Sequence, residues 1–343
     1  MKYFLNLSQF FRAWLIIFLL VFAANAQWVK QTVETKASLR GLSVVNQKIV
    51  WASGTGGTFL RTTDGGQTWQ VGVVPDAEKL DFRDVEAFDA NTAYLLSIGN
   101  GEASRIYKTT DGGNSWKLQF KNSNEKVFLD ALAFWDEQHG IAMGDPVDER
   151  FFLLATDDGG NNWKAVDTSR MPATKPGEAA FAASGTCLIA NSKSDVFLVS
   201  GGNAARVFRS SDRGFTWAVS DTPIVSGSPG SGVFSIAMFD RKSGVIVGGN
   251  YEKPSEAINN LALTTNGGKT WIANAGLSGY RSDAAFVNRK TLIAVGSSGS
   301  DISADAGKTW KNLDKGNYNA VAARGRQATW AVGANGLVAK LAK

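Results

Sequence analysis

Two residue types that carry much of protein chemistry are nearly missing. The 343-residue chain has one cysteine, Cys187, and one histidine, His139. A lone cysteine excludes an intramolecular disulfide, a cysteine-rich zinc site and an iron–sulfur cluster. A lone histidine excludes a histidine-rich metal centre. There is no glycine-rich strand–turn–helix of the kind that holds a dinucleotide, and no haem attachment sequence. Lysine and arginine are spread evenly, with a net charge of +5, so nucleic acid is not an expected partner. Neither a metal nor a cofactor is expected. What is abundant is glycine (37), tryptophan (11) and phenylalanine (20), in a chain 44% hydrophobic and 20% charged. That composition belongs to a folded protein with a sizeable core, many tight turns and many large aromatic anchors.

The N-terminus is set apart from the rest. Lys2 and Arg12 precede an uncharged run from Ala13 to Ala24, and Ala24-Asn25-Ala26 leads into Gln27. A basic start, a short apolar stretch and small residues spaced A-x-A describe a secretory signal peptide over residues 1–26, cleaved before Gln27. The alternative, a retained membrane anchor, needs about 20 apolar residues to span a bilayer, and this run is shorter. No cysteine lies near the site, which excludes a lipoprotein. The expected mature protein, residues 27–343, is therefore exported to the periplasm or the extracellular space. It should be a monomer without a membrane span.

Length alone would suggest about two domains, but an internal repeat points to one. Thr62-Thr63-Asp64-Gly65-Gly66-Gln67-Thr68-Trp69 recurs as TTDGGNSW ending at Trp116, TDDGGNNW at Trp163, SSDRGFTW at Trp217, TTNGGKTW at Trp271 and SADAGKTW at Trp310. The acidic position reads Asp64, Asp111, Asp158, Asp212, Asn266 and Asp305, at intervals of 47, 47, 54, 54 and 39 residues. A short carboxylate can accept from backbone N–H groups further along and close a turn. Glycine permits positive φ, and tryptophan supplies an anchor whose indole N–H seeks a carbonyl. Asn266 indicates that a neutral amide serves as well, as expected of a turn rather than of catalysis.

Each turn joins strand-like segments, such as Val85–Phe88, Ala93–Ser97, Arg105–Thr109 and Trp116–Phe120 around the second. Four short strands in 40–50 residues read as a propeller blade. The count is seven blades, because the segment from Trp330 to Ala339 matches that from Trp51 to Leu60 without a following turn, while Trp28-Val29-Lys30-Gln31 resembles a post-turn strand without a preceding one. The N-terminal strand should pair with the C-terminal strands, closing the ring and removing an exposed edge. The expectation is an all-β, seven-bladed propeller of four-stranded blades. Trp28, Trp69, Trp116, Trp163, Trp217, Trp271 and Trp310 then share one structural role.

The repeat is identified as the Asp-box, or BNR, motif, and the chain resembles the seven-bladed relatives of the photosystem II stability/assembly factor. GEAAFAASGTC (177–187), FRDVEAFDANTAY (82–94) and GYRSDAAF (279–286) are similar to bacterial members of that group. The resemblance implies a protein-binding scaffold with an arginine-lined face. It also raises a rival, since sialidases carry Asp-boxes and an arginine triad. Phe82-Arg83-Asp84-Val85 lacks the Ile-Pro of the sialidase signature, however, and no nucleophilic Tyr/Glu pair is identifiable.

Candidate site residues come from aligning the innermost strands: LRGLSVV, FRDVEAF, LDALAF, GEAAFAA, FSIAMF, YRSDAAF and YNAVAA. Arg40, Arg83 and Arg281 then share one position, followed by Gly41, Asp84, Asp130, Gly177, Ser235, Ser282 and Asn319, with Glu178 beside Gly177. Three guanidiniums at one channel mouth, with Ser282 beside them, would hold a carboxylate or phosphate. Asp84, Asp130 and Glu178 are the catalytic candidates if the protein is a glycoside hydrolase, whose two carboxyls must stand about 5–9.5 Å apart. The favoured reading is a non-enzymatic scaffold for a protein or anionic ligand. The alternative is a sialidase-like hydrolase of a carbohydrate ligand. His139, in Asp136-Glu137-Gln138-His139-Gly140, is expected in a solvated turn, and Cys187 in the core.

Overall fold

The computed structural model describes residues 27–342; the proposed signal segment lies outside them. Seven antiparallel sheets follow one another along the chain. Their innermost strands are Leu39–Val44, Asp81–Ala87, Leu129–Phe134, Leu188–Asn191, Ser231–Met238, Asp283–Phe286 and Tyr318–Ala323. Each touches the innermost strand of the next sheet, and the last touches the first, so the sheets close into a ring around a channel. The chain is a seven-bladed β-propeller. Blade 1 runs outward through Val50–Gly54, Thr58–Thr62 and Gln70–Val73, and the other blades repeat that order.

Closure occurs where the half-motifs at the two ends meet. Trp28–Lys30 adds to Val338–Leu341 in the register Trp28↔Leu341, Val29↔Lys340 and Lys30↔Ala339. Blade 7 is thereby completed by the other end of the chain, and Val338–Leu341 is covered rather than left as the outer strand.

The core lies between blades rather than along the axis. Trp51 and Trp330 are fully buried, and each meets a tryptophan of the next blade: Trp116 stands edge-on to Trp51 at 6.2 Å, and Trp69 edge-on to Trp330 at 5.5 Å. Trp28 reaches back to blade 6 and donates its indole N–H to Ser300 Oγ at 3.0 Å. Six of the aligned tryptophans end the repeated turns, and Trp28 opens the strand that completes blade 7. Among the six in turns, only Trp217 and Trp310 donate to a carbonyl of their own turn, Gly214 O and Gly307 O, both at 2.9 Å.

The six repeated turns are self-contained circuits. In the first, Thr62 Oγ1 donates to Asp64 Oδ1 and accepts from Gly66 N, while Asp64 accepts from Thr68 N and Thr68 Oγ1. The equivalent donors of their own turns lower the pKa of Asp111, Asp158 and Asp305 to about 2. Asn266 repeats the circuit through its amide, accepting from Thr264 Oγ1 and Thr270 N and donating to Thr270 Oγ1. Gly66 has φ +92°, and a Cβ there would stand 2.4 Å from Trp330 of the preceding blade. Glycine thus serves both the turn and the close approach.

Candidate functional site

Five innermost strands carry a β-bulge at the same level, between Leu39 and Gly41, Phe82 and Asp84, Leu129 and Ala131, Val233 and Ser235, and Tyr318 and Ala320. In blade 6, Ser282 N donates to Val295 O while Asp283 also lies opposite Val295, so Ser282 is the extra residue. The bulge residues are Arg40, Arg83, Asp130, Phe234, Ser282 and Asn319. A bulge re-aims the side chain it inserts, and five of these six line or approach one mouth of the channel.

This register corrects the alignment of three expected site residues, Arg281, Ser282 and Asp130. Arg281 lies one residue before the bulge, and a one-residue slip turns a strand side chain to the opposite face. It is fully buried, and Asp301 receives its Nε at 2.8 Å and its Nη2 at 2.6 Å, while Ser278 also accepts from Nη2 and Ser298 accepts from Nη1. Arg281 is not part of the arginine cluster at the mouth. Conversely, Asp130 holds the bulge position itself. It is buried, its Oδ2 has no hydrogen-bond partner among the described residues, and burial with the nearby Asp145 charge raises its pKa.

Glu178 is also displaced. The innermost strand of blade 4 is Leu188–Asn191, not the segment beginning at Gly177. Glu178–Ala179 instead pairs with Gly201–Gly202 and joins the sheet of blade 5. The Glu178 carboxylate is buried against the Arg206 guanidinium and accepts from Ser200 Oγ and Lys175 N. It holds a hairpin rather than facing a channel.

The residues that follow Glu178 form a plug. Ala180 N donates to Asp145 of blade 3, and Ala182 and Ala183 carbonyls accept from Arg83 at 3.0 Å and Arg40 at 3.3 Å. Ser184 Oγ donates to Ser282 O, while Thr186 Oγ1 reaches Ser235 and Asp283. Residues 180–186 thus contact blades on opposite sides of the ring and cross the channel. Outside the plug is a cavity of about 450 Å³; inside it, the channel continues to the other mouth.

Asp84 lies on the inner side of the plug and serves the ring. Its Oδ2 accepts from Leu132 N of blade 3, and Asp283 Oδ2 likewise accepts from Val321 N of blade 7. Ser235 Oγ accepts from Ala284 N in the same way. The inner edge of each innermost strand has unpaired N–H groups, and these side chains satisfy them from the neighbouring blade. Burial raises both acids, Asp283 to about 7. Asp84, Asp130 and Glu178 are therefore not brought together as a pair flanking an open cleft.

The outer cavity has a cationic side and an aromatic side. Arg83 Nε is held by Asp81 at 2.8 Å, whereas Arg40 has no carboxylate hydrogen-bonded to it. Burial and the charge of Arg83 both lower the pKa of Arg40, so an incoming anion would relieve their repulsion. Opposite them, Phe181 of the plug stacks on Phe234 at 3.9 Å and 4°. Tyr280 meets Phe234 edge-on at 4.7 Å, and the half-exposed Tyr251 stands edge-on to both phenylalanines. Ser282 and Asn319 complete the wall, and among the described residues no carboxylate lines the cavity.

This ring and mouth can be set beside known proteins. No protein-family model matches the sequence, and no curated protein matches it. The solved structure of YCF48 bound to D1 peptide aligns with a TM-score of 0.67 at 18% identity, over 92% of this chain and 97% of that one. The fold is that of the YCF48 propellers. YCF48 from Cyanidioschyzon merolae gives 0.65 at 19% identity, covering 91% and 98% of the two chains. The structure of U3-55K gives 0.63 at 14%, covering 94% and 99%. A GH74 enzyme of Niastella koreensis reaches only 0.39 and carries no argument about chemistry. At these identities the likeness to YCF48 concerns architecture alone.

Sequence reasoning missed the aromatic half of the site. Phe181 and Phe234 lie in strand-like runs whose facing depends on the plug and the bulge, and neither has a sequence signature. Cys187 is buried in the core, as expected. His139 is half-buried in a hairpin turn, with its ring nitrogen 2.8 Å from Asp136. Among the described residues, no group of three or more His, Cys, Asp or Glu side chains is arranged to hold a metal.

Proposed function

We propose that the protein is a non-enzymatic binding or assembly scaffold that takes an anionic group of a protein partner at the plugged mouth. The supporting observation is the juxtaposition of Arg40 and Arg83, whose mutual repulsion no hydrogen-bonded carboxylate relieves at Arg40, with the Phe181–Phe234–Tyr280 shelf. A carboxylate beside an apolar side chain satisfies both sides, the guanidinium supplying a planar fork and the rings a contact surface. The shared architecture with YCF48, solved with a peptide bound, favours a polypeptide as the source of that carboxylate. We also read the protein as exported, from its first 26 residues; mass measurement of the protein recovered from its native host would show whether they are removed.

Co-purification from the native host tests the scaffold reading. A stable partner retained by the wild type and lost by an Arg40→Ala/Arg83→Ala variant of unchanged melting temperature is expected. A glycan and polysaccharide turnover screen runs beside it. Turnover abolished by Asp84→Ala, Asp130→Ala or Glu178→Ala, with the fold retained, would establish the hydrolase instead.

A further inference from the structure

The mouth holding Arg40 and Arg83 occupies one face of the ring. The opposite face carries the repeated turns and the hairpins that leave the innermost strands, and there blades 5 and 6 carry cations both in their hairpins and in their turns. In blade 5 the hairpin reads Phe239-Asp240-Arg241-Lys242-Ser243, and in blade 6 Phe286 leads into Asn288-Arg289-Lys290. The turns of these blades carry Lys269 and Lys308 where blades 1 to 3 have Gln67, Asn114 and Asn161. Blade 5 is also the one whose turn has Asn266 in place of an aspartate. The same sector has therefore gained cations and lost an anion.

These cations are largely unspent. Arg241 is paired with Asp195 at 2.8 Å. Lys242, Lys269, Arg289, Lys290 and Lys308 are exposed, and among the described residues none makes an ion pair or a side-chain hydrogen bond. Arg289 lies close enough to Asp240 to lower its pKa, although Asp240 is committed to Lys242 N and Ser243 N. Asp305 is likewise committed to its own turn.

Between the two blades runs an apolar groove. Phe239 and Phe286 form its floor with ring centroids 5.5 Å apart, above Leu263, in a cavity of about 600 Å³. Past Lys308 the groove continues to Ile272, which is 70% exposed, while Phe239 is 41% exposed. Large apolar side chains left in water beside one another and rimmed by polar groups mark a docking surface.

We propose that this groove between blades 5 and 6 binds an acidic segment of a partner polypeptide, anchored by an aromatic or aliphatic side chain between Phe239, Phe286 and Ile272. The cationic rim selects an acidic partner by charge complementarity. The floor selects a polypeptide, because phenyl and alkyl surface receives side-chain anchors and offers no donors or acceptors to read base edges. This site stands on residues separate from Arg40 and Arg83, so either can fail without the other.

Fluorescence anisotropy with the full chain tests it. The probe is a labelled peptide in which Asp and Glu alternate with Phe and Leu. The controls are the same peptide with Lys for its acids, one with Ser for its apolar residues, an oligothymidylate and phosphatidylglycerol vesicles. The acidic-apolar peptide should bind best, and its affinity should fall steeply from ~0.05 to ~0.5 M salt. Arg289→Glu/Lys290→Glu should weaken it at least about tenfold, as should Phe239→Ser, while Lys117→Glu/Lys164→Glu, on the exposed outer strands of blades 2 and 3, should not. Lys308→Glu, at an exposed turn, keeps the test open if the double variant fails to fold. Equal binding of the Lys peptide, insensitivity to both Arg289→Glu/Lys290→Glu and Lys308→Glu, or tighter binding of oligothymidylate or vesicles through these residues would overturn the proposal.

Discussion

The two faces of the ring are built from the same strands yet handle repetition in opposite ways. On the face of the turns, six segments close nearly identical hydrogen-bond circuits, each complete within eight residues. On the plugged face, one equivalent bulge position carries Arg40, Arg83, Asp130, Phe234, Ser282 and Asn319. A device that satisfies itself locally can be copied from blade to blade. A mouth where blades converge around one axis needs unlike residues, since identical charges would repel across it. Asymmetry on the turn face lies in the hairpin tips, the outward turn position and Asn266, and the circuits stay intact.

The contrast can be broken most forcefully at its buried support. Asp301→Ala strands the Arg281 guanidinium without its carboxylate and should cost about 3–5 kcal/mol, as breaking a buried ion pair does. Urea denaturation would measure it. Replacing both partners, Arg281→Met with Asp301→Leu, should recover most of the loss; no recovery would assign the loss to backbone distortion instead.

The plug comes next. Gly185 has φ +84°, and a Cβ there would meet Asp84 Oδ1 at 2.2 Å. Gly185→Ala should destabilise by about 1–3 kcal/mol through overpacking and a disfavoured φ. Hydrogen exchange should rise at residues 180–186 while the six turns stay protected. Equal loss of protection in both regions would show that the plug and the ring open together.

A smaller effect depends on pH. Glu86 lines the channel beyond the plug, and burial raises it to about 7, with Arg324 opposing. An acid raised in the folded state binds its proton where the unfolded chain has lost it. Stability from this group is therefore full below about pH 4.5 and declines as pH rises to about 7. Glu86→Gln should match the wild type in melting temperature at acidic pH and exceed it above neutrality. The turn aspartates have the opposite sign: their folded values near 2 give stability that is present above about pH 4 and lost on further acidification. The smallest change expected is Asn266→Asp, within about 0.5 kcal/mol at neutral pH because the circuit already exists.

Much of the architecture was legible because its determinants are local or strictly repeated. The half-motifs at Trp28 and Trp330 predicted a closed seven-bladed ring, and both complete the same blade. The site was legible only in part. Arg40 and Arg83 do stand together, but Arg281 lies one residue before their position and Glu178 lies in a short strand ahead of the plug, in the blade 5 sheet. The causes differ: Glu178 belongs to a segment that leads into the plug, whereas Arg281 precedes a bulge. A bulge inserts a residue without changing the apolar pattern on either side, so counting from the apolar end of YRSDAAF cannot reveal it. Phe181 escaped notice because its partners lie in blades 5 and 6 rather than beside it in sequence.

By itself, then, the sequence determined the turns, their number and the closure of the ring, because each follows from hydrogen bonds and anchors within a short segment or from complementary ends. Only the tertiary structure decided which side chains reach the mouth, which carboxyls are spent on neighbouring strands, and that the channel is crossed by residues 180–186. Facing in a strand has a period of two, so one inserted residue reverses it, and the insertion is a property of pairing rather than of either strand alone. The scarcity of cysteine and histidine left arginine, carboxylate and aromatic groups for recognition. The bulges and the plug sorted them, leaving arginine facing aromatic rings across an open cavity and the candidate carboxyls buried.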